Sequence, residues 1–175
     1  MLVSVFPSLQ LVLCRAYIEC IASGDLRNFI KTVCELPETY TGSVHVTLND
    51  YDLDVVMRNA VILLILFELD DIDMAVDCVV HIWYSALLRQ TDYHALHHWV
   101  RPVIQQACET MPKRDPNRGF MQTWAFDAQT FSLALPPAAW HSMLASLNGP
   151  AGLTMNRAQE VRRAVTMDEL SLIHI

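Results

Sequence analysis

The chain has 175 residues, of which 53% are hydrophobic, 18% charged and only five glycine, with a formal net charge of −7. This length suits a single domain with one buried core, and the apolar excess excludes a disordered chain. The acidic balance excludes a general nucleic-acid binder, which needs a basic face; the densest cationic pairs, Lys113-Arg114 and Arg162-Arg163, read as ordinary solvated surface.

The five cysteines (Cys14, Cys20, Cys34, Cys78 and Cys108) are odd in number, and none belongs to a CxxC. Their spacing builds neither a zinc finger nor a thiol redox site, so zinc is not expected. Buried free thiols in a reducing compartment are the expectation, which points to the cytoplasm. Residues 1–13 are apolar, but they lack a basic start, contain Pro7 and run into Arg15 and Glu19, so they do not read as a secretory signal. The apolar run over residues 60–67 is eight residues long, whereas a bilayer-spanning helix needs ~20. No membrane partner is expected.

In chain order, residues 1–16 form a poorly defined N-terminal segment. Residues 17–22 (YIECIA) read as a short strand ended by Ser23-Gly24. Asp25 is placed to cap a helix with Phe29, Ile30 and Val33 at helical spacing and Pro37 as its stop. After a turn at Thr41-Gly42, residues 43–48 (SVHVTL) alternate and are β-branched, which predicts a second strand ending at Asn49-Asp50. Asp52 can cap a helix over residues 53–67. Its early part holds an Asp54/Arg58 pair four apart, and its later part is apolar all round, so it should lie between other layers. Strand, helix, strand, helix with short connections predicts an α/β fold with a parallel sheet and right-handed crossovers.

Residues 74–88 predict a long helix with Ala75, Val79, Ile82 and Ala86 on one face, and residues 93–111 a further one that Pro102 kinks or divides. A loop over residues 112–120 leads to a β-hairpin, residues 121–126 and 130–135. Pro136-Pro137 then opens a helix carrying Trp140 and Leu144, which ends at Asn148-Gly149-Pro150. A last helix is expected from Thr154 to Val165. The reading is therefore one domain over residues 1–175: a βαβ and helical core over 17–111, hairpin and helices over 121–166, and a tail over 167–175.

Gly24 and Asp50 form the best candidate site, with Asp25 and Asn49 beside them. In open α/β sheets ligands sit outside the carboxyl ends of the strands, where a glycine lets a ligand approach the backbone and a carboxylate can take ribose hydroxyls. The dinucleotide fingerprint GxGxxG is absent, and Asp25 opposes a pyrophosphate at the helix start. A cofactor without phosphate, such as S-adenosylmethionine, would be tolerated better. The plainer reading is a tight turn flanked by capping aspartates. His94, His97 and His98 share one helix face without a complete ligand set and read as a polar surface. His81 and Ser85, one turn apart without an orienting acid, do not make a nucleophilic triad. No catalytic residue emerges.

Four segments, Gly24-Asp25-Leu26-Arg27-Asn28, Leu48-Asn49-Asp50, Asp54-Val55-Val56-Met57-Arg58-Asn59-Ala60 and His81-Ile82-Trp83-Tyr84-Ser85-Ala86, occur in an order and spacing that resemble a fungal family of uncharacterised proteins. Some members of that family are relatives of MYND-finger proteins, and the same domain type begins the dynein axonemal assembly factor three family. The resemblance implies a Rossmann-like, methyltransferase-like domain with degraded cofactor motifs and cytoplasmic work in protein assembly. Gly24 and Asp25 match its first loop and Asn49-Asp50 its second. The clustered Cys and His of a MYND finger are missing here, so zinc is not inherited. The relatives continue well beyond the segment that 154–165 resembles, so the resemblance implies a domain incomplete at its C-terminus. Two functions follow as expectations: a non-enzymatic domain with a protein partner, or an S-adenosylmethionine-dependent methyltransferase or cofactor sensor.

Overall fold

Alternation along the strands is what organises the molecule. The computed structural model describes residues 2–5, 15–85, 88–112, 118–148, 156–157, 159–160 and 163–164. Five strands form one sheet: β1 (Leu2–Val5), β2 (Arg15–Ile21), β3 (Ser43–Asn49), β4 (Phe120–Phe126) and β5 (Gln129–Leu135), in the order β2-β3-β1-β5-β4. Ala16, Ile18 and Cys20 on β2 stand opposite Val44, Val46 and Leu48 on β3, and Trp124 on β4 stands opposite Phe131 on β5. These side chains meet the core from one face, because successive residues of a strand point to opposite sides. The other face carries Tyr17, Glu19, Thr123, Ala125 and Ala134, all exposed.

Among the described residues only β2 and β3 run parallel, joined through α1 (Arg27–Cys34). The remaining pairs, β1 with β3, β1 with β5 and β4 with β5, are antiparallel. This corrects the expectation of a parallel sheet, and the reason lies in the connections. A third parallel strand would have to follow α2 (Leu53–Glu68) by a crossover, but that helix runs into α3 (Ile72–Tyr84) instead. The place beside β3 is filled by β1 from the N-terminal segment, and the hairpin extends the sheet beyond β1. Residues 2–5, to which the sequence assigns no element, thus form a strand inside the sheet. The architecture is mixed α/β.

Asp52 caps α2 as expected, its carboxylate accepting from the Asp54 N–H at 2.9 Å. Val56 and the whole stretch from Asn59 to Ile65 are buried, because the helix is enclosed between the sheet and the other helices. The Asp54/Arg58 pair is not among the ion pairs of the described residues. Helix α3 follows a three-residue link, packs on α2 through Ala75, Cys78 and Val79, and ends at Tyr84. Ser85 has extended backbone, so the helix stops short of the predicted Leu88; Ala86 and Leu87 lie outside the described residues.

The chain from Gln90 to Thr110 is helical but not uniform. It runs as α4 (Gln90–Ala95), a π-helical turn (Leu96–Val100) and α5 (Arg101–Thr110). Pro102 lacks an N–H and crowds the carbonyl four residues back; the widened turn immediately before it, in which the Arg101 N–H reaches the Leu96 carbonyl, absorbs that conflict. The hairpin is confirmed, with Asp127 at a positive φ of 47° in its tight turn. Helix α6 (Pro137–Ser146) places Trp140, fully buried, against Phe120 and Trp124, and its indole N–H donates to the Phe120 carbonyl at 3.1 Å. Asn156, Arg157, Gln159, Glu160, Arg163 and Ala164 are helical, and the rest of the predicted last helix lies outside the described residues. Among the described residues no helix is long and apolar enough to cross a membrane.

Candidate functional site

The parallel β2 and β3 bring Gly24 and Asp50 together, because the loops after both strands emerge at the same end of the sheet. The chain leaves β2 sharply: Ala22 and Gly24 have φ values of 52° and 55°. Gly24 suits this conformation, which side chains disfavour, and does not serve to avoid a clash, since a Cβ there would meet nothing within 4 Å. The Ser23 N–H donates to the Asn49 carbonyl at 3.0 Å. Asp50 then closes the joint: Oδ2 accepts from the Gly24 N–H at 2.8 Å, and Oδ1 accepts from the Asp52 N–H at 3.0 Å. Those two bonds, Asp52 first, hold the Asp50 carboxyl below the usual aspartate range.

Asn59, which the sequence reading did not single out, completes the joint from below. It is 1% exposed, and its Nδ2 donates to the Gly24 carbonyl at 2.7 Å. An asparagine inside the apolar run of α2 was the available signal, because a polar side chain on a buried helix face needs a partner. Its Oδ1, and the buried Nε of neighbouring Arg58, have no hydrogen-bond partner among the described residues. The Arg58 charge contributes to holding both Asp25 and Asp50 ionised.

Asp25 departs from its predicted place. The cap position of α1 is Leu26, which is fully buried, and Asp25 stands one residue earlier. Its Oδ1 accepts from the Arg27 N–H at 2.9 Å, and its Oδ2 accepts from the Arg27 guanidinium at 2.6 Å. The hydrogen-bonded guanidinium holds the carboxyl below its ordinary range. The structure therefore unites Gly24, Asp50 and the Asn49 backbone, while Asp25 turns to Arg27.

A second polar cluster joins α3 to α4. Asp92, 2% exposed, accepts from the Arg89 backbone N–H at 3.1 Å, from its Nε at 2.9 Å and from its Nη2 at 2.7 Å. Arg89 also reaches the Asp77 carboxylate at 2.7 Å. Burial alone would raise the Asp92 carboxyl, but the Arg89 bonds outweigh it and the net shift is downward. His81 Nδ1 stands 3.6 Å from Asp92 Oδ2, and buried Cys78 lies beside them. The trio of Cys, His and Asp is no nucleophile centre: burial, then the Asp92 charge, pushes the Cys78 thiol up to about 11, so it stays protonated near neutrality. Ser85 is the residue at which α3 stops, and its N–H donates to the His81 carbonyl at 2.8 Å.

The three adjacent histidines divide. His97 is half-buried and bonds the Leu147 carbonyl at 2.8 Å, His94 meets Gln90 at 3.3 Å, and His98 lies edge-on to Trp99. The solvated-face expectation holds for His94 and His98, while His97 ties the π-helical turn to the end of α6. Among the described residues no group of three or more His, Cys, Asp or Glu side chains is placed so that it could hold a metal ion. Cys20, Cys34, Cys78 and Cys108 are free thiols. Of these only Cys78 is buried, and Cys34 is exposed, which corrects the expectation that all would be buried; Cys14 lies outside the described residues.

Comparison with known proteins adds one match. Residues 9–88 match the family model of a domain of unknown function (DUF4470). The matched stretch contains the Gly24–Asp50–Asn59 joint and α3, whereas β4, β5 and α6 lie beyond it. No curated protein and no solved structure matches the chain.

Proposed function

We propose that this chain is a non-enzymatic, cytoplasmic domain that acts in protein assembly by binding a protein partner. In this reading it derives from a Rossmann-like, methyltransferase-like fold whose cofactor loop has become a structural joint, like the fungal relatives of MYND-finger proteins and the first domain of the dynein axonemal assembly factor three family. The observation that carries it is the state of the two loop carboxylates. Asp50 takes backbone donors on both oxygens and Asp25 is held by Arg27, so each supports the chain's own loops. A general acid or base needs a carboxyl poised near neutrality, and both are instead shifted downward.

One observation favours the alternative, an S-adenosylmethionine-dependent methyltransferase or cofactor sensor. Asn59 Oδ1 and Arg58 Nε are buried without partners beside the Gly24 loop, and unsatisfied buried groups are often completed by a ligand or water. Calorimetric titration with S-adenosylmethionine and S-adenosylhomocysteine separates the two. No heat of binding at millimolar ligand is the expected result. Binding to the wild type that disappears in Asp50→Ala overturns the proposal and makes Gly24, Asp25, Asn49 and Asp50 a cofactor site.

A further inference from the structure

Helix α3 buries one face against α2 and leaves the opposite one open. Ile72, Val76, Val80 and Tyr84 follow one another at intervals of four residues, with exposures of 74%, 48%, 49% and 67%. Residues four apart are neighbours on a helix surface, so these side chains form a continuous stripe along the full length of α3 and are not scattered singly. The stripe does not serve the core, which α3 reaches through Ala75, Cys78 and Val79.

The surroundings of its first half are acidic. Five carboxylates, Glu68, Asp70, Asp71, Asp73 and Asp77, lie between the end of α2 and the middle of α3, and the last of them is paired with Arg89 at 2.7 Å. Asp70 and Asp71 stand at the start of α3, and exposed Asp73 and Asp77 run beside the stripe with the same four-residue spacing. An apolar strip with an acidic margin selects its occupant by charge. That acidic end repels an anionic lipid surface and attracts the cationic flank of a partner.

We infer that the outward face of α3 is a docking site for an amphipathic helix of a partner protein, with apolar residues on the contacting face and lysine or arginine on its flanks. This rests on the protein-binding reading above and names its surface and the chemistry of its partner. The apolar residues of the incoming helix cover Ile72, Val76, Val80 and Tyr84, and its cations meet Asp70 and Asp73, the mode by which grooves and helix faces capture amphipathic helices.

The test uses a dye-labelled synthetic peptide of about five helical turns, leucine on one face and lysine on the other, followed by fluorescence anisotropy against the full chain. Binding is expected, with affinity falling at least about tenfold, the equivalent of ~1.4 kcal/mol, in Val76→Ser/Val80→Ser and again in Ile72→Ser/Tyr84→Ser. Both variants change exposed side chains, and a second pair keeps the test decisive if the first misfolds. Met121→Ser, at an exposed position on β4, should bind as the wild type does. Asp70→Asn/Asp73→Asn should weaken binding, most clearly at low salt. The inference is overturned by equal affinity of wild type and both α3 variants, or by equal binding of a peptide of the same composition with scrambled leucines. It is also overturned by a wild-type dimer that the α3 variants dissolve, or by binding of phosphatidylserine vesicles through the stripe. Failure of the peptide together with silent S-adenosylmethionine calorimetry removes this surface and leaves the protein-binding reading; cofactor binding lost in Asp50→Ala removes the reading itself.

Discussion

Asp50 and Asp92 each fasten two stretches of chain by accepting a backbone N–H together with a second donor, but they do so in different surroundings. Asp50 stands at the open end of β3 and accepts two amide protons that water can also serve. Asp92 is 2% exposed between α3 and α4, and its partners are one amide and the Arg89 guanidinium. The hydrogen bonds have similar lengths, yet their weight differs, because a buried carboxylate that loses its partners has no solvent to turn to. Asp92 is therefore part of what makes the helices pack, whereas Asp50 sets the shape of a loop.

The comparison breaks most readily at Asp92. Asp92→Ala should lower the unfolding free energy by about 1.5–3 kcal/mol, the cost of removing a buried charged acceptor from the Arg89 amide, measured by urea denaturation. A loss below about 1 kcal/mol would place Asp92 among surface pairs and erase the distinction. The same contrast appears in acid. The Asp92 carboxyl is shifted downward in the fold, so its contribution is fully present above the ordinary aspartate value of about 3.9 and disappears as pH falls through the lowered folded value. Denaturant midpoints of the wild type should fall on acidification across that window, and Asp92→Ala should flatten the slope more than Asp50→Ala does.

Next in size is Asn59→Ala. It removes the buried amide that donates to the Gly24 carbonyl and should cost about 1–3 kcal/mol. Asp50→Ala should cost less than Asn59→Ala, and its signature is local: faster hydrogen exchange at the Gly24 amide, with the Arg89 amide unchanged. Should both amides accelerate together, the two joints are energetically one. The smallest effect belongs to Val80→Ser on the open face of α3, which should leave stability within about 0.5 kcal/mol by thermal melt.

Local patterns revealed much of this molecule. The cap at Asp52, the alternation of residues 43–48, the two hairpin strands and the buried stretch of α2 were all legible, because each depends on neighbours within a few residues. Pro102 announced a break, though not that a π-helical turn would absorb it. The meeting of Gly24 with Asp50 was also legible, since parallel strands place their following loops at one end of the sheet. Asn59 and the Arg89–Asp92–Asp77 cluster were not. Their partners lie 35, 3 and 12 residues away, and only packing decides which polar residues on a helix are shut away from water.

The sequence by itself determined the strands β2 to β5, the main helices and the capping of α2, all consequences of spacing along the chain. Tertiary structure decided the order and direction of the strands. The N-terminal strand β1 takes the place beside β3 where a third βα unit would have gone, and the hairpin adds on beyond it, because the chain after α2 continues into helices. Tertiary structure also decided the fate of the aspartates. Asp50 and Asp92 are the same residue type, and the difference between a loop clasp and a buried joint is the amount of protein that closes over each.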